Sequence, residues 1–256
     1  MKVDPLSPAN SPTVVRAGHR LGREDVRRIR LRHRGYRLIL LASCTVLLSQ
    51  PLARQWPLIS PAVGILMALV MMLFLTRYSP LRARKRLFYG LGIAAIVSEL
   101  AWLFVLVMNA SLALHLAILQ LLIWGLFIAT FLLRGVKTLM MEPYVTLAVV
   151  MGAAAGYLLI GYLGGLLLHT LLLWQPEAFD VSLVAPGFDP SLHPLRVFPA
   201  MVMASFQSLT TTGGSLARPG FLLPTTGSLV ITLVGQMYLA VLLSLVLGRF
   251  HRRPHL

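Results

Sequence analysis

Six long apolar runs dominate the sequence and constrain its fold more than any other feature. They lie at about residues 36–53, 57–77, 88–108, 111–133, 143–174 and 224–248. A helix needs ~20 apolar residues to cross a bilayer, whereas a membrane strand needs only ~10 and alternates in polarity. Because the runs are long and unbroken, they predict an all-α membrane protein with six transmembrane helices.

The composition agrees with this interpretation. Of the 256 residues, 57% are hydrophobic and 12% are charged, whereas a soluble domain has ~25% charged residues. Cys44 is the only cysteine, which excludes an intrachain disulfide and a cysteine-cluster metal site. We find no carboxylate pair, Ser-His-Asp set or metal-ligand spacing in the sequence. We therefore expect neither an enzyme nor a resident cofactor or metal.

The net charge of +15 is concentrated between the apolar runs. Basic residues cluster in "REDVRRIRLRHRGYR", "RYSPLRARKRLFYG", "RGVKTLMMEP" and "RFHRRPHL", whereas the alternate loops carry few. Under the positive-inside rule, this pattern predicts a multi-pass protein of the cell (plasma or inner) membrane with both termini in the cytoplasm. No aromatic and basic platform accompanies the charge, so we do not expect nucleic acid as a partner.

The N-terminal segment, residues 1–35, is polar and basic. No apolar core follows the first methionine, so no cleavable signal peptide is expected, and residues 1–20 are predicted to be disordered. Residues 23–37 have two interpretations. They form a short basic helix on the anionic lipids of the cytoplasmic leaflet, or their arginines only hold the N-terminus in the cytoplasm.

A shorter apolar stretch lies between the fifth and sixth runs. Pro199 opens "PAMVMASFQSL", and "TTTGG" follows. A helix over Pro199–Leu209 is too short to cross the ~30 Å hydrocarbon core. Irregular backbone at membrane depth survives only where it is buried in protein or lines water, and there its carbonyls and hydroxyls can bind a cation. We therefore predict a re-entrant pore helix and filter loop, with a polar surface turn as the alternative.

At this point the chain resembles a known family. Residues 140–250 resemble the two-helix pore module of bacterial ion channels of the potassium-channel type. "SFQSLTTTGG" resembles the family's "SFVTLTTLGYG", and "LVGQMYLAVLLSLVLGRF" is similar to its inner helix, often written "GQLYLAVLIARLVG". The fifth run, ending "QPEAF", resembles the outer helix with its "QPGSF"-like exit. The implied organisation is a basic segment (1–35), a four-helix membrane domain (36–134) and a pore module (140–250).

The resemblance implies a function and a set of site residues. Because one pore unit cannot enclose a pathway, four chains would assemble into a homotetrameric cation channel for K⁺ or Na⁺. Gly235 falls where the inner helix of the family often bends, although close helix packing explains a glycine there equally well. The ion pathway and filter would be formed by Thr210, Thr211, Thr212, Gly213, Gly214 and Ser215.

Several positions depart from the family pattern. Gly214 replaces the filter tyrosine, Ser215 replaces the second filter glycine, Leu216 replaces the acidic residue that usually follows, and Arg218 lies nearby. These departures leave open both a cation channel of uncertain selectivity and a non-conducting or regulatory membrane subunit. The fourth run lacks a ladder of basic residues, so steep voltage gating is not expected.

Two titratable residues lie inside apolar runs. Glu99 is a functional candidate because acids within membrane helices are rare and costly. Alternatively, it is a structural residue that hydrogen-bonds to Ser98, Asn109 or another span. His169 either titrates near neutral pH or packs as a hydrogen-bonded histidine.

Overall fold

The computed structural model describes residues 23–77, 85–108, 110–140, 146–180, 194–213 and 216–250, with side chains left out at 23–32 and 245–250 and at a few further helix positions. These residues form seven α-helices and one 3₁₀ turn, Pro176–Ala178, so the all-α prediction is confirmed. The helices are α1 (Arg23–Gln55), α2 (Ile59–Arg77), α3 (Lys85–Met108), α4 (Ala110–Met140), α5 (Leu147–Trp174), α6 (Pro194–Leu209) and α7 (Leu222–Phe250).

Five of these helices are long and apolar enough to cross a membrane: α1 from His33, α3, α4, α5 and α7. The apolar part of α2, Ile59–Leu75, is shorter. The chain thus has the helices of a multi-pass membrane protein. A sixth span through α2 stays a prediction.

Two helices extend further than the apolar runs indicated. Residues 23–37 do not form a separate basic helix, because α1 continues without a break from Arg23 to Gln55. Helix α4 likewise extends past residue 133 to Met140. Arginine, lysine, leucine and methionine are good helix formers, so a change from apolar to basic residues does not end a helix. Contact of residues 23–37 with anionic lipids stays a prediction, and the side chains of 23–32 are not described. The predicted disorder of residues 1–20 concerns a segment outside the described part.

Helix α5 is the centre of the bundle. Over its most apolar window, 56% of its residues are buried, against 17% for α7. It packs against α1, α4, α6 and α7. The main hydrophobic core joins residues before and after position 140, including Tyr36, Phe127, Leu159 and Phe198. Helices α6 and α7 are therefore held in place by a scaffold to which the N-terminal helices contribute.

Candidate functional site

Helix α6 begins earlier than the sequence indicated. We expected Pro199 in its first turn, but the helix starts at Pro194 and Pro199 lies inside it. A proline there removes one helical hydrogen bond. The intervening Val197 and Phe198 are buried, and this packing extends the helix past the missing bond.

Helix α6 runs antiparallel to α5 and in contact with it. The contacts pair successive positions of the two helices: His169 with Phe198, Gly165 with Val202, Gly161 with Ser205, and Tyr157 with Leu209. Two of them are hydrogen bonds, from Ser205 Oγ to the Gly161 carbonyl (2.7 Å) and from the Tyr157 hydroxyl to the Leu209 carbonyl (3.2 Å). Tyr157 lies about 26 Å from the end of α5 at Trp174, given ~1.5 Å per residue. The tip of α6 therefore lies deep along the bundle.

Small residues allow this close approach. A Cβ atom added at Gly165 would lie 2.7 Å from the Cα atom of Val202, which is closer than real Cβ contacts come. Added Cβ atoms at Gly161 and Gly164 would collide with Phe206 and Ser205. Glycines at the interface bring helix backbones close together, as in membrane helix pairs generally.

After α6, the chain returns to the end of α5. Phe179 and Ala217 form an antiparallel bridge. The Asp180 N–H donates to the Leu216 carbonyl (2.7 Å), and the Arg218 N–H donates to the Ala178 carbonyl (2.9 Å). Because α6 also begins near this end, the segment from α6 to Ala217 enters and leaves on one side of the bundle.

The predicted filter residues Thr210 to Thr212 cap the C-terminus of α6. The Thr212 N–H donates to the Gln207 carbonyl (3.0 Å) and the Thr211 N–H to the Ser208 carbonyl (3.2 Å). Thr211 has φ +58°. These bonds form a Schellman motif, in which a glycine usually occupies the position of Thr211.

The threonine hydroxyls also turn toward the helix end. Thr210 Oγ1 donates to the Phe206 carbonyl (2.8 Å) and lies 3.1 Å from Thr212 Oγ1. Thr211 Oγ1 donates to the Thr210 carbonyl (2.7 Å). All three threonines and Gly213 are exposed, and Gly213 has the positive φ (+90°) that its glycine permits. Gly214 and Ser215 lie outside the described residues.

The tip of α6 also contacts the middle of α7. Thr232 Oγ1 donates to the Ser208 carbonyl (2.8 Å). Gly235 is buried, and a Cβ atom there would collide with the side chain of Leu209. Helix α7 continues through Gly235. These contacts favour the packing interpretation of Gly235, and its role as a hinge stays a prediction.

Gln236 is a polar residue that was not among the predicted site residues. It is exposed on α7 and follows Gly235, which contacts Leu209 at the end of α6. A lone amide inside a 23-residue apolar span is the signal that points to it. Polar residues within membrane helices almost always face a protein interior or a water-filled cavity. Gln236 and Thr210 to Thr212 are thus exposed polar residues in an otherwise apolar part of the molecule.

Glu99 is hydrogen-bonded to another helix, as its structural interpretation expected. Gln120 Nε2 on α4 donates to the buried Glu99 carboxylate. Ser98 donates instead to the Ala95 carbonyl, and Asn109 lies outside the described residues.

His169 is packed against Phe198, with ring centroids 5.4 Å apart. Within the described part of the chain neither of its ring nitrogens has a hydrogen-bond partner, so the expected hydrogen bond is absent there.

The described residues contain no group of three or more His, Cys, Asp or Glu side chains that would hold a metal ion. Comparison of the chain with protein-family models, with curated proteins and with solved structures finds no significant match. The geometry of α5, α6 and α7 is therefore the basis for inferring a function.

Proposed function

We propose that this chain is the subunit of a homotetrameric cation channel in the cell membrane, with α5, α6 and α7 as its pore module and both termini in the cytoplasm. The observation that carries the proposal is the path of the chain from α6 to Ala217. It runs deep along α5, exposes hydroxyls and backbone at its tip, and returns to the same end.

The depth of the tip supports a re-entrant segment. Thr232, which bonds to the end of α6, lies near the middle of the apolar span Leu222–Ser244. Helix α6 has 16 residues, or about 24 Å, which is too short to cross the membrane. Non-helical backbone at this depth must be covered by protein or line water. Thr210 to Gly213 are exposed in the single chain. Further copies of the chain around a water-filled axis would meet this requirement, because the exposed backbone would then face protein or water.

The chemistry of the tip favours cations over anions. A helix C-terminus carries a partial negative charge, and the end of α6 is surrounded by carbonyl and hydroxyl oxygens. Rings of such oxygens replace the water around a dehydrating cation. Among the described residues, no hydrogen bond reaches the carbonyls of Thr212 and Gly213. In the proposed tetramer these oxygens would bind K⁺ or Na⁺.

Liposomes that contain the purified protein test this function. We expect K⁺ or Na⁺ flux, and we expect it to be lost in the double variant Thr211→Ala/Gly213→Ala. The matched control is Thr225→Ala/Gly220→Ala, which removes an exposed threonine hydroxyl and a glycine at φ +91° outside the proposed filter. Flux that survives the first double variant, or no flux under any gradient, contradicts the proposal.

A second candidate function is a non-conducting or regulatory subunit related to channels. Leu216 favours it because it replaces the acidic residue of the family pattern. Arg218 favours it because this arginine is exposed where the chain after α6 comes back beside the end of α5. Several arginines at the mouth of a pathway would repel cations. This function predicts association with a separate channel protein and no flux from the pure chain. Conductance by a homogeneous preparation would rule it out.

A further inference from the structure

A cavity with several polar side chains in its wall lies inside the bundle, away from the tip of α6. Its volume is about 30 Å³. It lies toward the end of the bundle where α5 ends and α6 begins, since His169 and Leu195 both line it. Helices α2 to α5 contribute polar side chains to its wall, namely Ser60, Glu99, Gln120, Trp124, Tyr162 and His169.

The Glu99 carboxyl group in this wall lacks a charged partner. Glu99 is 7% exposed, and its carboxylate faces two neutral groups, the amide of Gln120 and the indole N–H of Trp124. Within the described part of the chain, no lysine or arginine lines the cavity. An ionised carboxylate at membrane depth is strongly unfavourable without a countercharge. Glu99 therefore needs a bound cation or a proton.

The imidazole of His169 in the same wall also lacks a hydrogen-bond partner in the described part of the chain. His169 is 4% exposed, and neither ring nitrogen is hydrogen-bonded within the described residues. The indole N–H of Trp124 interacts with the Glu99 carboxylate across the same wall. Buried polar groups almost always have partners, either in the protein or in ordered water. A cavity of about 30 Å³ has room for about two water molecules, which would join these groups.

The donors in the wall favour a proton over a metal cation. The indole N–H of Trp124 can only donate, and Gln120 presents its amide N–H to Glu99. A metal ion needs several acceptor ligands around it, whereas these groups present hydrogens. Among the described residues there is no cluster of three or more typical metal-binding side chains.

We propose that Glu99 and His169 form an intramembrane proton-binding site, in which one exchangeable proton is held between the carboxyl and imidazole groups through cavity water. Of the described residues that face the cavity, only Glu99 from α3 and Tyr162 and His169 from α5 are titratable. Helix α6 contributes Leu195 and Phe198, which are apolar. Phe198 packs on the His169 ring, so a change of charge at this site acts directly on the first turns of α6. The site does not depend on whether the protein conducts ions.

The tryptophans provide a direct measurement. Trp102 and Trp124 line the cavity, whereas Trp56 and Trp174 are exposed. In a Trp56→Phe/Trp174→Phe background in lipid nanodiscs, we expect tryptophan fluorescence to titrate between acidic and neutral pH. The titration should be lost in Glu99→Gln and in His169→Gln. It should persist in the exposed-site controls Glu177→Gln and His115→Gln.

Infrared difference spectroscopy provides a second test, which can be made on the unmodified protein even if a cavity variant fails to fold. We expect a carboxyl C=O band that responds to pH and disappears in Glu99→Gln but not in Glu177→Gln. A fluorescence titration that survives both cavity substitutions, or the absence of any pH-dependent buried carboxyl band, overturns the proposal. So does a signal that follows Na⁺ or K⁺ concentration at fixed pH, because it would identify a metal-cation site instead.

Discussion

At the scale of single residues, Thr211 combines a structural role with a proposed functional one. It occupies the left-handed position that ends α6, with φ +58°, and it is the only non-glycine residue with positive φ in the described part of the chain. A β-branched residue is disfavoured there, because its Cβ substituents crowd the backbone. Its hydroxyl offsets part of this cost by donating to the Thr210 carbonyl (2.7 Å). Strain of this kind tends to persist at functional sites.

We expect substitutions at Thr211 to separate backbone strain from hydrogen bonding. Thr211→Gly removes the strain, so thermal unfolding in detergent should show it to be at least as stable as the unmodified protein. Thr211→Val keeps the strain and loses the hydroxyl, so we expect a loss of about 1–2 kcal/mol. Thr225→Val, on the surface of α7, serves as the control and should change stability by less than about 0.5 kcal/mol. Equal stability of the two valine variants would contradict this explanation.

The sequence carried only part of this information. Glycine is the residue that permits positive φ, and Gly213 adopts it (+90°). Thr211 was not expected there, because the end of α6 is determined by the contacts of Leu209 with Tyr157 and Gly235. Those contacts join residues that are far apart in the sequence. The sequence predicted that α6 ends at Leu209, as it does, but local propensity contained no signal for the left-handed conformation of Thr211 two residues later.

At the scale of helices, the interface between α5 and α6 determines where the tip lies. Gly161, Gly164 and Gly165 bring the two backbones together, and the buried Ser205 hydroxyl bonds across the interface. Pro199 indicated a helix start in the sequence, yet buried side chains before it extended α6 back to Pro194. Tertiary packing thus outweighed the local signal. The glycines were visible in the sequence, but which helix they face was not.

Gly165→Ala should destabilise the protein, because the added Cβ would lie 2.7 Å from the Val202 Cα and the two backbones would have to separate. We expect a loss of about 1–3 kcal/mol in thermal or denaturant unfolding. Gly90→Ala is the matched control, since a Cβ there meets nothing within 4 Å. It should be neutral or more stable by up to about 1 kcal/mol. A similar effect of the two substitutions would show that the α5–α6 contact is not close.

Thr232→Val should loosen the tip of α6 without altering α7. Thr232 Oγ1 donates to the Ser208 carbonyl of α6 (2.8 Å) and also to the Ser228 carbonyl of its own helix (3.0 Å). Thr226 Oγ1 donates only within α7, to the Leu222 carbonyl (2.8 Å), so Thr226→Val is the control. Hydrogen exchange of the backbone amides of Thr210 to Gly213 should be faster in Thr232→Val and unchanged in the control. Unchanged exchange in both would mean that this bond does not hold the tip.

At the scale of the whole molecule, the apolar runs predicted most of the architecture. Five candidate spans and the all-α fold are confirmed, because runs of this length have few alternatives to a membrane helix. The central place of α5 and the orientation of Gln236 were not predictable. Both helices are apolar on nearly every side, so their sequence periodicity does not distinguish a buried face from an exposed one.

Thiol accessibility at Gln236 tests most directly whether the exposed polar region lines water. Gln236 and Met237 are both exposed on α7 but point in different directions around the helix. In a Cys44→Ser background, Gln236→Cys and Met237→Cys each provide a single thiol. We predict that a water-soluble, membrane-impermeant thiol reagent modifies Gln236→Cys many times faster than Met237→Cys in liposomes. Equal protection of both positions would contradict a water-filled pathway beside α7.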